Sequence, residues 1–266
     1  MAEGVFLVQL ALSFIVGSFW VLLTTFLADR FGSKIGGFIG GLPSTAAVSF
    51  FFIGLTQSTE IAALATTVFP LSYGFTGLFL LLYALLWRRG FIVSFGVSIS
   101  VWFSLSACVV LLKFENFILS VCFYILFFIF AVYVLENVLK LPSIGKGDLK
   151  YSSLHFLLRA VFGGIIVALA VFLSRIGGPV FGGIFSAFPA VFISVLVVNY
   201  RSRGMEFSRA MTKPLLVTGM ISIFMYGLGV RYFYPSLGLL WGTLAAYLFS
   251  MIGAFMSYLL IQKKLL

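Results

Sequence analysis

Long apolar runs, each interrupted by a few polar or charged residues, set the pattern of this chain. They fall at about 5–28, 35–56, 61–87, 91–112, 117–139, 154–174, 179–199, 207–230 and 236–261. A helix needs roughly 20 apolar residues to cross about 30 Å of hydrocarbon, so the pattern predicts nine membrane spans. In lipid every backbone N–H and C=O must find a partner within the protein, and runs this long do so as helices rather than as barrel strands. At about 22 residues each, the spans occupy roughly 200 positions and leave only short connections. The expected fold class is an all-α polytopic membrane protein, with no soluble domain.

Composition agrees with the pattern. Hydrophobic residues make up 62% of the 266 positions and charged residues 9%, where a soluble domain has about 45–50% and about 25%. The first apolar run does not read as a cleavable signal peptide, because only Glu3 precedes it and it exceeds the length of such a segment.

The formal charge of +10 becomes informative once the spans are drawn. Nine crossings put the two termini on opposite faces. Of the 17 Lys and Arg residues, all but Lys113, Arg175 and Arg231 then fall on the face of the C-terminus. The positive-inside rule places the N-terminus outside and the C-terminus in the cytoplasm of a plasma-membrane protein. The basic residues are a topology signal with attraction to anionic lipid head groups, and no nucleic-acid partner is expected.

The two halves of the chain repeat one another. Arg30-Phe31-Gly32 precedes Arg175-Ile176-Gly177 by 145 positions, and a shift of 146 then aligns Gly36-Gly37-Phe38 with Gly182-Gly183-Ile184 and Pro43 with Pro189. The same register pairs Glu60 with Glu206, Thr66 with Thr212, Gly96 with Gly242 and Ser104 with Ser250. Spans one to four thus correspond to spans six to nine, with the fifth alone. A displacement of five spans is odd, so the second unit enters the bilayer from the other side. The expectation is an inverted 4+1+4 repeat: a first unit over 1–113, a linker helix and loop over 114–150, and a second unit over 151–266. Many secondary transporters follow this plan, with the solute site near the bilayer midplane.

Candidate site residues sit at the matched positions. Pro43 and Pro189 interrupt the second and seventh spans, and a proline inside a helix removes one backbone bond and frees a carbonyl. Ser44 and Thr45 add hydroxyls beside one break, while Gly36, Gly37, Gly182 and Gly183 permit close helix approach and hinging. Arg30 and Arg175 each precede a Gly-rich helix start, where the positive dipole end adds to the guanidinium charge to make an anion-friendly corner. Lys213 lies about two turns inside the eighth span before Pro214, and an ionisable residue at that depth is a functional candidate. Thr66, Thr67, Ser72, Tyr73 and Thr76 form a polar stripe able to line a cavity. Glu136 is expected at an interface, and Cys108 and Cys122 as buried small side chains rather than a disulfide or metal pair.

The stretch from Ala28 to about Leu112 carries Arg30, the Gly-rich opening, Leu42-Pro43-Ser44-Thr45, the Glu60-Ile61-Ala62-Ala63-Leu64 start and Arg88-Arg89-Gly90. In these features it resembles the GlpM-like family of small four-span membrane proteins, which names the unit rather than an activity. The arrangement of four-span units fused antiparallel is similar to the drug/metabolite transporter superfamily. The small multidrug-resistance members of that superfamily bind cations through a first-span Glu. Here the nearest acid is Asp29 at the span's end, so the resemblance does not imply cationic-drug antiport.

Neither a metal-binding helix motif, nor paired intramembrane aspartates, nor a nucleotide-binding loop is present, so no enzyme, metal or cofactor is expected. The function expected is secondary transport or export of a small anionic or zwitterionic solute by alternating access, as a monomer or a homodimer. The alternative is a non-transporting accessory or scaffold protein for envelope-polymer or lipid assembly.

Overall fold

The computed structural model describes residues 2–30, 42–141 and 153–262. Among them there is helix and no strand. In chain order the helices are α1 (Ala2–Arg30), α2 (Ser44–Thr56), α3 (Thr59–Ala65), α4 (Phe69–Leu85), α5 (Phe91–Leu111), α6 (Phe117–Tyr133), α7 (Ser153–Gly177), α8 (Pro179–Ser186), α9 (Ala190–Ala210) and α10 (Thr212–Gln262). Six are long and apolar enough to span a membrane, and α3 with α4 forms one further candidate, bent by 44°. The chain is a polytopic membrane protein. Helix α10, at 51 residues, is too long for one crossing, and at Gly238 (φ 74°) its backbone leaves helical geometry and starts a new helix.

The helix breaks fall in the 146-residue register. Pro43 caps α2 at φ −75° and Pro189 caps α9 at φ −76°. Around the first break the Ser44 amide donates to the Leu42 carbonyl at 2.9 Å and the Ala47 amide to Pro43 at 3.1 Å. Around the second the Ala190 amide donates to Phe188 at 2.8 Å and Ile193 to Pro189 at 2.8 Å. Farther on, Ser58 caps α3 through its side chain, and its counterpart Gly204 (φ 81°) restarts the helix within α9. The buried hydroxyls of Thr66 and Thr212 then donate to the carbonyls of Ala63 and Arg209, each three residues back. The 146-residue spacing therefore recurs in backbone geometry at these positions as well as in residue type.

Helices α1 and α7 pack along their lengths and run antiparallel. A Cβ added at Gly17 would lie 3.0 Å from the Val167 Cβ, and one added at Gly163 would lie 2.7 Å from Val21 Cγ2. Position numbers rise along one helix as they fall along the other. The glycines admit this close approach, which is how membrane helices gain contact where lipid is as apolar as the side chains. At Gly164 the fit is tighter still, since any Cβ would collide with Ser18 Oγ.

Helix α6 is wedged against both halves. Its Ser120 hydroxyl accepts the first-turn amide of Leu71 at 2.9 Å, an N–H with no acceptor in its own helix, while Tyr124 donates to the Met220 carbonyl at 2.8 Å. Past α6 the chain makes one π-helical turn over Val134–Val138. The outer faces of α5 and α6 are open, and they carry the two cysteines. Cys108 and Cys122 are free and exposed, not buried as the sequence suggested. Hydropathy cannot separate an inward from an outward position in a span whose surroundings are equally apolar.

Candidate functional site

The two proline breaks meet. Leu42, Ser44, Thr45 and Ala46 on one side and Phe188, Pro189, Val191 and Phe192 on the other line a single narrow cleft. Water-sized molecules have only about 20 Å³ in which to centre themselves, about what one water requires. The lining follows the repeat: Leu42 with Phe188, Thr45 with Val191, and Ala46 with Phe192 are all 146 positions apart. Both α2 and α9 begin on this cleft.

Neither helix start has a side-chain cap. First-turn N–H groups have no intrahelical acceptor, which leaves the amides of Thr45 and Ala46, and of Val191 and Phe192, unmatched within their own helices. Two hydroxyls join them. Tyr73 of α4 and Ser186 of α8 line the cleft, each 3% exposed, and neither Tyr73 Oη nor Ser186 Oγ has a hydrogen-bond partner. Buried polar groups are nearly always paired, so two orphans on one cleft mark a place where something polar fits. Across the repeat Tyr73 corresponds to Gly219, where a Cβ would lie 2.5 Å from the Phe192 ring. The two sides of the cleft therefore differ in side chains at this matched position.

A relay of hydrogen bonds braces the second break. The Trp102 indole donates to Thr76 Oγ1 at 3.1 Å, and Thr76 donates to the Ala187 carbonyl at 2.9 Å. The carbonyl that the break frees at the end of α8 is thus occupied by the first half of the chain. Gly182 and Gly183 let α8 approach closely. A Cβ at Gly182 would lie 3.1 Å from Ile53 Cδ1, and one at Gly183 would strike the Ala65 carbonyl.

Of the residues singled out from sequence, the structure gathers Ser44, Thr45 and Pro189 on the cleft, with Pro43 between its lining residues Leu42 and Ser44. Tyr73 of the polar stripe joins them. It does not bring the charged candidates there. Arg175 is exposed, its guanidinium carbon 4.0 Å from the Phe6 ring centroid. Lys213 lies at the start of α10 with its Nζ 2.9 Å from Glu136 Oε1 on the π turn, a long-range pair that sequence reasoning did not make. The Arg30 side chain, Gly36 and Gly37 lie outside the described residues. Two further arginines are held elsewhere: Arg209 Nε of α9 donates to the Ala84 carbonyl of α4 at 3.1 Å, and Arg231 of α10 donates to Thr67, in the turn before α4, at 3.2 Å with its guanidinium over the Phe117 ring. Among the described residues no Lys or Arg lines the cleft.

The missed features had a sequence signal. Gly17 and Gly163, like Val21 and Val167, are identical pairs at 146, as are Phe26 with Phe172 and Leu27 with Leu173. Ser186 carried no such mark, because its counterpart is Gly40.

Comparison with known proteins yields one match. A family model described as a protein of unknown function (DUF3147) matches residues 156–263. No curated protein and no solved structure matches the chain.

Proposed function

We propose that the protein is a secondary carrier of a small solute, made of two inverted four-span units flanking a fifth span and working by alternating access. The cleft formed where the two proline breaks meet carries this reading. Three pairs of its lining residues, Leu42 with Phe188, Thr45 with Val191 and Ala46 with Phe192, are matched in register across the two halves, in keeping with a midplane site between inverted repeats.

Other observations support the same plan. The reciprocal contacts of Gly17 with Val167 and of Val21 with Gly163 are those of a two-fold axis, and antiparallel α1 and α7 put that axis perpendicular to the helices. Six long helices, the bent α3–α4 pair and the division of α10 at Gly238 account for eight of the nine expected spans, and α2 is the described part of the other, expected over 35–56. The matched range 156–263 falls inside the second unit, 151–266. Placing the N-terminus outside and the C-terminus in the cytoplasm of a plasma membrane rests on the Lys and Arg distribution.

In this reading Pro43 and Pro189 are hinges, with Gly36, Gly37, Gly182 and Gly183 permitting the motion. Ser44 and Thr45 donate to the solute in the cleft. Arg175 and Lys213 act outside the cleft, where solute enters and leaves, and Arg30 is assigned the same gate role as Arg175 from its matching place in the sequence. The competing role is a scaffold for envelope-polymer or lipid assembly, which would keep the cleft closed to both compartments.

Accessibility distinguishes the two. In a Cys108→Ala/Cys122→Ala background, a Thr45→Cys variant in sealed vesicles is expected to react with a membrane-impermeant thiol reagent applied from either side. Reaction from neither side overturns the carrier and favours the scaffold.

A further inference from the structure

We infer that the cleft holds a small monovalent anion, or a single carboxylate group of a larger solute, between the amino-terminal ends of α2 and α9. The inference rests on the reading of this cleft as the solute site, and it moves anion recognition from the arginine corners to the backbone.

The argument is one of charge and donors. Each helix start contributes roughly half a positive elementary charge, so two starts on one cleft supply about one. Here α2 and α9, 13 and 21 residues long, both begin on it without a side-chain cap. Four first-turn amides, those of Thr45, Ala46, Val191 and Phe192, belong to residues that line the cleft, and such amides are the usual anion donors at a helix start. The independent pointer is the pair of orphan hydroxyls. Tyr73 Oη and Ser186 Oγ are buried on the same cleft with no partner, and each can donate one O–H bond to an oxyanion or halide. Among the described residues no carboxylate lines the cleft to oppose an anion, and no Lys or Arg lines it to demand a divalent one. The room inside is about that of one water, the size of a halide or of the oxygen end of one carboxylate.

A bound anion stabilises the folded protein in proportion to its occupancy, so thermal unfolding reads binding directly. Full-length protein in detergent is titrated at constant ionic strength with sodium acetate, choline acetate and sodium chloride. The expected result is a saturable rise in Tm that follows the anion and is the same for sodium and choline as counter-ion. Tyr73→Phe and Ser186→Ala each remove one charge-assisted hydrogen bond and should weaken the apparent affinity about tenfold or more. Thr45→Asp places a carboxylate in the first turn of α2. It should raise Tm in anion-poor buffer and abolish the response, because the site then carries its own anion. Tyr73→Phe and Ser186→Ala remove only a hydroxyl and keep the comparison decisive if Thr45→Asp does not fold. A larger response to acetate than to chloride identifies a carboxylate, and equal responses identify any small monovalent anion; both uphold the inference. A response that tracks sodium, a response unchanged in all three variants, or no saturable response to either anion overturns it. Anion binding with the Thr45→Cys variant unreactive from both sides would keep the site and remove the carrier. Labelling from both sides without an anion response would do the reverse.

Discussion

Gly17 faces Val167 across the seam between α1 and α7, and the same contact recurs with the partners exchanged, Val21 facing Gly163. Both Gly163 minus Gly17 and Val167 minus Val21 equal 146. The seam therefore makes a testable statement about symmetry. Gly17→Val and Gly163→Val should each destabilise by overpacking, by about 1–3 kcal/mol and by similar amounts. Pairing Gly17→Val with Val167→Gly should return most of the loss, as should Gly163→Val with Val21→Gly. Unfolding temperatures of the single and paired variants in one detergent check this. Strongly unequal single costs, or no rescue, would argue that the two contacts are not related by an axis.

The ion pair of Lys213 with Glu136 should behave as a unit. The side chains are 12% and 22% exposed. Removing one partner leaves a poorly solvated charge behind, so Glu136→Gln should cost about 2–4 kcal/mol. The double variant Glu136→Gln/Lys213→Met, which removes both charges, should recover most of that. A coupling energy near zero from the double-mutant cycle would show that the two groups do not stabilise each other.

The relay through Thr76 joins the two halves of the chain at the second break. Thr76→Val strands both the Trp102 indole N–H and the Ala187 carbonyl in a buried place, at a cost of about 2–4 kcal/mol. Thr76→Ser keeps the hydroxyl and should be close to neutral. Equal melting temperatures for the Val and Ser variants would remove the relay from the account of stability.

Topology offers a further check. Single cysteines introduced at Glu3 and at Lys263 in a Cys108→Ala/Cys122→Ala background should react from opposite sides of a sealed membrane, with the N-terminal site outside. Reaction from the same side would end the nine-span count and with it the inverted arrangement.

How much of this was legible beforehand depends on the physics behind each feature. Pro43 and Pro189 could be read because proline acts locally: it breaks whichever helix contains it, so a repeated proline means a repeated break. Breaks at Gly204 and Gly238 were less visible, since a glycine in a membrane helix is as often a packing surface as a turn. Glu136 and Lys213 lie 77 positions apart, and no periodicity connects two charges at that distance. Cys108 and Cys122 were placed on the wrong side of their helices because the burial signal that works in water vanishes in lipid. The pairing of Pro43 with Pro189 pointed to the cleft, but the lack of positive side chains among its described lining residues could not be read in the same way. Arg175 stands out in sequence because it precedes a helix start, but its stacking on the Phe6 ring has no sequence signal.

One consequence concerns direction. Tyr73 stands where the repeat's other half has Gly219, and Phe192 takes up the room that the glycine leaves. In the proposed carrier, exchanging the roles of the two halves cannot restore the same packing around the cleft. Its inward- and outward-open forms must then differ in free energy, and a population at rest would be weighted toward one compartment before any gradient is applied.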